Sequence, residues 1–113
     1  MSSLTLDVRE VADGIRVIDI TGEITSFCEA ELAEAHGKAG DGARAVILNF
    51  DGLDYMNSGG IGLLVTTLIR AQRSGHKLMA YGLSDHYRQI FSLTRLDEAI
   101  GIYDDEKAAV AAV

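Results

Sequence analysis

Ala45-Val46-Ile47-Leu48-Asn49-Phe50 is the most strand-like run in the chain, and a long helical pattern opens a few residues after it. An apolar run without alternation needs burial on both faces or nearly so, as in a central strand of a parallel or mixed sheet. The helical pattern extends from near Ser58 to Ser74-Gly75, so Asp54-Tyr55-Met56-Asn57-Ser58-Gly59-Gly60-Ile61-Gly62 forms a strand-to-helix corner. That corner carries a hydroxyl, followed by small residues that leave its backbone open to a visitor. A helix N-terminus presents unpaired N–H groups and a partial positive charge, so it tolerates a phosphate on or near Ser58.

The elements around this corner alternate. Leu4, Leu6, Val8 and Val11 read as a half-buried strand, and Asp13-Gly14 as a hairpin turn leading to the antiparallel strand Ile15–Ile20. Gly22-Glu23-Ile24-Thr25-Ser26 reads as a loop. Ser26, with Glu29 three residues on, has the pattern of a capping box for a first helix running to about Lys38. After the central strand and the second helix come a strand over Lys77–Tyr81 and a helix capped at Ser84-Asp85 that continues through Phe91 and Leu93. A short edge strand over Ile100–Tyr103 and an alanine-rich final helix from Asp104-Asp105-Glu106 complete the pattern. An opening hairpin followed by alternating strands and helices implies one α/β domain over residues 1–113, with helices packed on a mixed, mostly parallel sheet of four to five strands.

Composition narrows the function. The formal charge of −7 argues against a nucleic-acid binder, which needs a basic stripe. No apolar run approaches the roughly 20 residues that span a bilayer, and the first residues lack the features of a signal peptide, so the cytoplasm is the expected compartment. Cys28 is the only cysteine; it falls in phase with Leu32, Ala35 and Ala39 and is expected to be a buried, inert thiol. His36, His76 and His86 have no metal-ligand spacing, so neither a metal nor a cofactor is expected.

At about 100° per residue, Ile61, Leu64, Val65, Leu68 and Gln72 fall on one side of the second helix, the expected core face. Gly59, Gly62, Leu63, Thr66 and Arg70 fall on the other. Internal glycines cost on the order of 1 kcal/mol each against alanine. Close packing or a docking surface beside Ser58 would each account for them, and the pattern alone leaves both open.

These residues resemble the STAS domain, and within it the single-domain anti-sigma factor antagonists of bacterial partner-switching systems. The resemblance covers essentially the whole chain. It rests on Val17-Ile18-Asp19-Ile20-Thr21-Gly22-Glu23-Ile24 and on Val46-Ile47-Leu48-Asn49-Phe50 followed by Tyr55-Met56-Asn57-Ser58-Gly59-Gly60-Ile61-Gly62. It implies that Ser58 is phosphorylated by an anti-sigma factor that is itself a serine kinase. The unphosphorylated chain would bind that kinase and free a sigma factor; the phosphorylated chain would let go until a metal-dependent serine phosphatase restored it. Asn57, Gly59, Gly62, Leu63, Thr66 and Arg70 are the candidate docking residues, with Glu23 a peripheral contact. Many family members have aspartate where Asn57 stands, and often where Thr25 stands, so one charge beside the phosphosite is replaced by a neutral amide.

Two other readings are open. In a scaffolding STAS protein of a signalling or transport assembly, Ser58 would simply cap its helix. A catalytic reading is disfavoured: Gly59-Gly60-Ile61-Gly62 lacks both the Walker spacing and the dinucleotide pattern. Asp51 and Asp54 likewise have no second acidic cluster to complete a magnesium site. The chain is therefore read as a non-enzymatic switch.

Overall fold

The computed structural model describes residues 3–113. Asp13-Gly14 makes the expected turn: Gly14 takes φ +71°, and β1 (Thr5–Ala12) folds back on β2 (Ile15–Ile24) as an antiparallel pair. β3 (Ala45–Met56), β4 (Lys77–Tyr81) and β5 (Gly101–Tyr103) then add in parallel, giving a five-stranded sheet in the order β1-β2-β3-β4-β5. The connections are α1 (Glu29–Gly40), α2 (Ser58–Ser74) and α3 (Asp85–Leu93), and α4 (Glu106–Ala111) closes the chain.

Both faces of the sheet are covered, which explains the unalternating run. Val46 and Leu48 point into the larger core with Ile18, Ile20, Leu32, Leu64, Leu78 and Phe91. Ala45 and Ile47 point to the opposite side, against Val17, Met79 and Ala109 of α4. All four residues from Ala45 to Leu48 are fully buried. Burying a side chain of this size contributes roughly 1.5–3 kcal/mol, so this strand anchors the domain. The small face is also pinned by charge. Arg9 donates to Asp19 at 2.5 and 2.9 Å and to Glu106 of α4 at 2.6 Å. Tyr81 donates to Glu106 at 3.1 Å, and burial together with that carboxylate pushes its hydroxyl pKa up to about 12.

Three local expectations need correction. Gly22–Ser26 is not all loop, because β2 continues to Ile24 and β3 continues past Phe50 to Met56. Asp19–Ile24 runs beside Asn49–Met56, so β3 carries two residues more than β2 and the ladder is bulged. Gly22 stays in the strand at φ +106°, where a Cβ would sit 1.8 Å from the Ser3 carbonyl oxygen. Only glycine lets the N-terminal segment pass there.

The cap before α1 is Thr25, not Ser26. A 3-10 turn over Ser26–Cys28 moves the α-helix start to Glu29, and the Phe27 N–H donates to the Thr25 hydroxyl at 3.3 Å. Cys28 lies buried in this turn as expected, accepting from the Thr25 N–H at 3.5 Å and donating to the Glu23 carbonyl at 3.6 Å. β1 is more exposed than a half-buried strand: Leu6 and Val11 are partly covered, and its other residues face solvent.

Candidate functional site

α2 begins where the bulged end of β3 meets the end of β2. Asn57 holds the junction: its N–H donates to the Ile24 carbonyl at 3.3 Å, and its side-chain oxygen accepts from the Gly60 N–H at 2.9 Å. Met56 is fixed by the buried Tyr87 hydroxyl, which accepts from its N–H at 2.8 Å. The helix N-cap is therefore Asn57, and Ser58 occupies the first helical position. Ser58 is exposed, and its hydroxyl has no hydrogen-bond partner among the described residues. Simple capping does not account for it.

The glycines divide by role. A Cβ on Gly60 would lie 2.3 Å from the Ile24 carbonyl oxygen, and one on Gly59 would lie 2.8 Å from the Ser26 Cβ. Both let α2 lean on the end of β2 and the 3-10 turn. A Cβ on Gly62 would meet nothing within 4 Å. Close packing explains Gly59 and Gly60 and leaves Gly62 unexplained.

The faces of α2 differ from the expected split. Gly60, Leu64, Thr67 and Ala71 are buried, whereas Val65 and Ile69 are 39 % and 44 % exposed and Gln72 also faces solvent. The contact of Gly60 with Ile24 sets the helix rotation, and the Thr67 hydroxyl is satisfied by the Leu63 carbonyl at 2.8 Å, so a threonine can face inward. Leu63, expected on the outer stripe, packs partly buried against the large core. The outward row is Ser58, Gly62, Val65 and Ile69.

The candidate residues do not form one patch. Asn57, Ser58, Gly59 and Gly62 cluster at the corner. Thr66 is half-buried and donates to the Gly62 carbonyl at 3.2 Å. Arg70 lies twelve residues beyond Ser58, about 18 Å along the helix axis. It lines a groove between α1 and α2 with Lys38, Arg73, His36 and His76. Glu23 accepts from the Ser3 hydroxyl at 3.1 Å. Sequence reasoning missed two aromatics, Phe27 at 91 % and Tyr55 at 49 % exposed, on the turn and strand end that frame the corner. Their signal was available: each is a large apolar residue in a polar stretch.

Sequence reasoning also missed that His36 and His76 meet, with Nε2 to Nε2 at 2.9 Å. One ring donates and the other accepts, which requires the accepting ring to be neutral. Burial lowers both pKa values from their usual range, and for His36 the neighbouring ring and Arg70 add to the effect. Among the described residues no three His, Cys, Asp or Glu side chains converge as a metal site.

The family model for the STAS domain matches residues 8–109. The chain belongs to the STAS domain family. This STAS domain is 29 % identical over 86 residues to the anti-sigma-B factor antagonist of Staphylococcus aureus, covering 75 % of this chain and 80 % of that protein. Its fold is similar to an anti-sigma factor antagonist from Mycobacterium paratuberculosis, with TM-score 0.78 and 26 % identity over 98 % of this chain and 94 % of that one. The phosphorylated form of the Bacillus cell fate determinant SpoIIAA shares the fold at TM-score 0.73 and 19 % identity, over 96 % of this chain and all of that one. No helix of the described STAS domain is long and apolar enough to cross a membrane.

Proposed function

We propose that this STAS domain is an anti-sigma factor antagonist that docks an anti-sigma factor through the Ser58 corner and releases it when Ser58 is phosphorylated. The observation that carries this reading is the division of labour at the corner: Asn57 caps the helix, leaving Ser58 exposed and unbonded. Gly62, one turn on, has open space above it, and Val65 and Ile69 extend the row as exposed apolar contacts. Relatives named as anti-sigma factor antagonists support the class of partner.

The chain catalyses nothing in this scheme and serves as a substrate. A serine kinase, the anti-sigma factor itself, places the phosphate, and a metal-dependent serine phosphatase removes it. Phosphoserine brings roughly −1.5 to −2 charges. The N-terminus of α2 stabilises that charge within the free protein, while a partner surface closing over it must desolvate it. A coupling of about 1–3 kcal/mol changes affinity roughly 5- to 150-fold, enough for a switch in a cell. Asn57, Gly59 and Gly62 contact the partner directly, Thr66 borders them, and Arg70 in the α1–α2 groove is a separate, distal contact. Leu63 acts from beneath by fixing the packing of α2, and Glu23 is peripheral.

The test is a pull-down from lysate of the source organism with wild type and Ser58→Asp as baits, followed by phosphosite mapping after ATP is added to the captured complex. Wild type should retain an ATP-binding kinase that Ser58→Asp loses, and phosphate should appear on Ser58. The same partners on both baits would instead make this a constitutive scaffold.

A further inference from the structure

The sheet ends on one side at β1, a strand of eight residues flanked by β2 and, among the described residues, by no strand on its other side. A long, exposed edge strand is a template for another chain. The opposite edge, β5, has only three residues. Val8, at the middle of β1, is a large apolar residue 36 % exposed.

The sequence of β1 is self-complementary about that residue. With a twofold axis through Val8, an antiparallel second copy sets Val8 against Val8 and Asp7 against Arg9, twice. An axis through Asp7 opposes two aspartates, and one through Arg9 opposes two arginines. An axis between two residues is excluded, because it would set side chains from opposite faces of the strand against each other. Of these registers, only the one centred on Val8 pairs opposite charges, and such cross-strand pairs are what set register.

The side chains are prepared for it. Asp7 is exposed and has no ion-pair partner among the described residues. Arg9 uses Nε and Nη2 on Asp19 and Glu106, so its guanidinium is already oriented while Nη1 stays uncommitted. Leu6 and Val8 also line a cleft of about 470 Å³ between β1 and α1. Directly opposed residues share a face, so Val8 of a second copy would come to rest beside that cleft.

We propose that β1 pairs with β1 of a second copy of this chain, antiparallel and centred on Val8, joining two five-stranded sheets into one. This is independent of the Ser58 reading, because the corner leans on Ile24 and Ser26.

Sedimentation equilibrium tests self-association, and oxidative cross-linking tests the register. Wild type should shift from monomer towards dimer as concentration rises. Asp7→Arg should weaken that association about tenfold with its unfolding curve unchanged. Val8→Cys should cross-link readily, since opposed residues sit about 4.5–5.5 Å apart between Cα atoms, within disulfide reach. Thr5→Cys should not, since its opposed copies would be about 20 Å apart. The buried Cys28 of wild type serves as the thiol control. A protein monomeric at every concentration overturns the proposal. So does a dimer indifferent to Asp7→Arg, or one that cross-links as well through Thr5→Cys as through Val8→Cys.

Discussion

Asn57 and Ser58 are neighbours with separable consequences. Asn57→Ala removes the acceptor for the Gly60 N–H and is expected to lower stability by about 1 kcal/mol. Ser58→Ala removes an exposed, unbonded hydroxyl and should stay within about 0.5 kcal/mol of wild type. Urea unfolding of the two variants checks both values, and a larger loss for Ser58→Ala than for Asn57→Ala would contradict the cap assignment. The cap was legible in the sequence because asparagine beside a serine offers two capping groups. Which one served could not be read, since that depends on where the bulged end of β3 delivers the chain.

α2 as an element explains why its glycines must be considered singly. Gly60→Ala would drive a methyl into the Ile24 carbonyl, and overpacking of this kind costs about 1–3 kcal/mol. Gly62→Ala meets open space and should stabilise the helix by up to about 1 kcal/mol. If the corner docks a partner through close backbone approach, the same Gly62→Ala change should weaken binding while raising the unfolding midpoint. Titration calorimetry beside thermal melts would show the two moving in opposite directions. The existence of α2 and its bounds followed from its apolar period and from Gly75, which ends it at φ +79°. Its rotation did not follow, because an apolar wheel assigns Val65 inward and Leu63 outward. Contacts from Ile24 and a backbone-bonded hydroxyl reverse that choice. The extensions of β2 and β3 were hidden for a related reason: polar residues on a bulged, partly exposed ladder look like loop.

The molecule as a whole brings together His36 and His76, forty residues apart, and no local spacing could have revealed that. Each has a folded-state pKa below its ordinary value of 6.5. Below pH 6.5 the unfolded chain therefore binds more protons than the folded one, and stability falls as pH falls through this window. Above it, the pair imposes no penalty. Asp19, held below its usual range by its hydrogen bond with Arg9, adds a second loss beneath pH 3.8. Unfolding midpoints measured from neutrality to pH 4 should decline below about 6.5, and His36→Leu should flatten that decline. Order and kind of elements, the buried central strand and the position of Ser58 were all legible because each depends on short-range pattern. Contacts between α1 and the start of β4 depend on sheet topology.

The only cysteine lies in the turn that supports the Ser58 corner, with its thiol bonded between Thr25 and Glu23 and hidden from solvent. A thiol reagent can reach it only when that turn opens, so the rate of labelling in the native protein reports the free energy of local opening there. If the Ser58 corner docks a partner as proposed, this thiol is an intrinsic gauge of its occupancy. Labelling should slow when a partner covers the corner and recover when phosphorylation sends the partner away, with no probe attached to the surface under study.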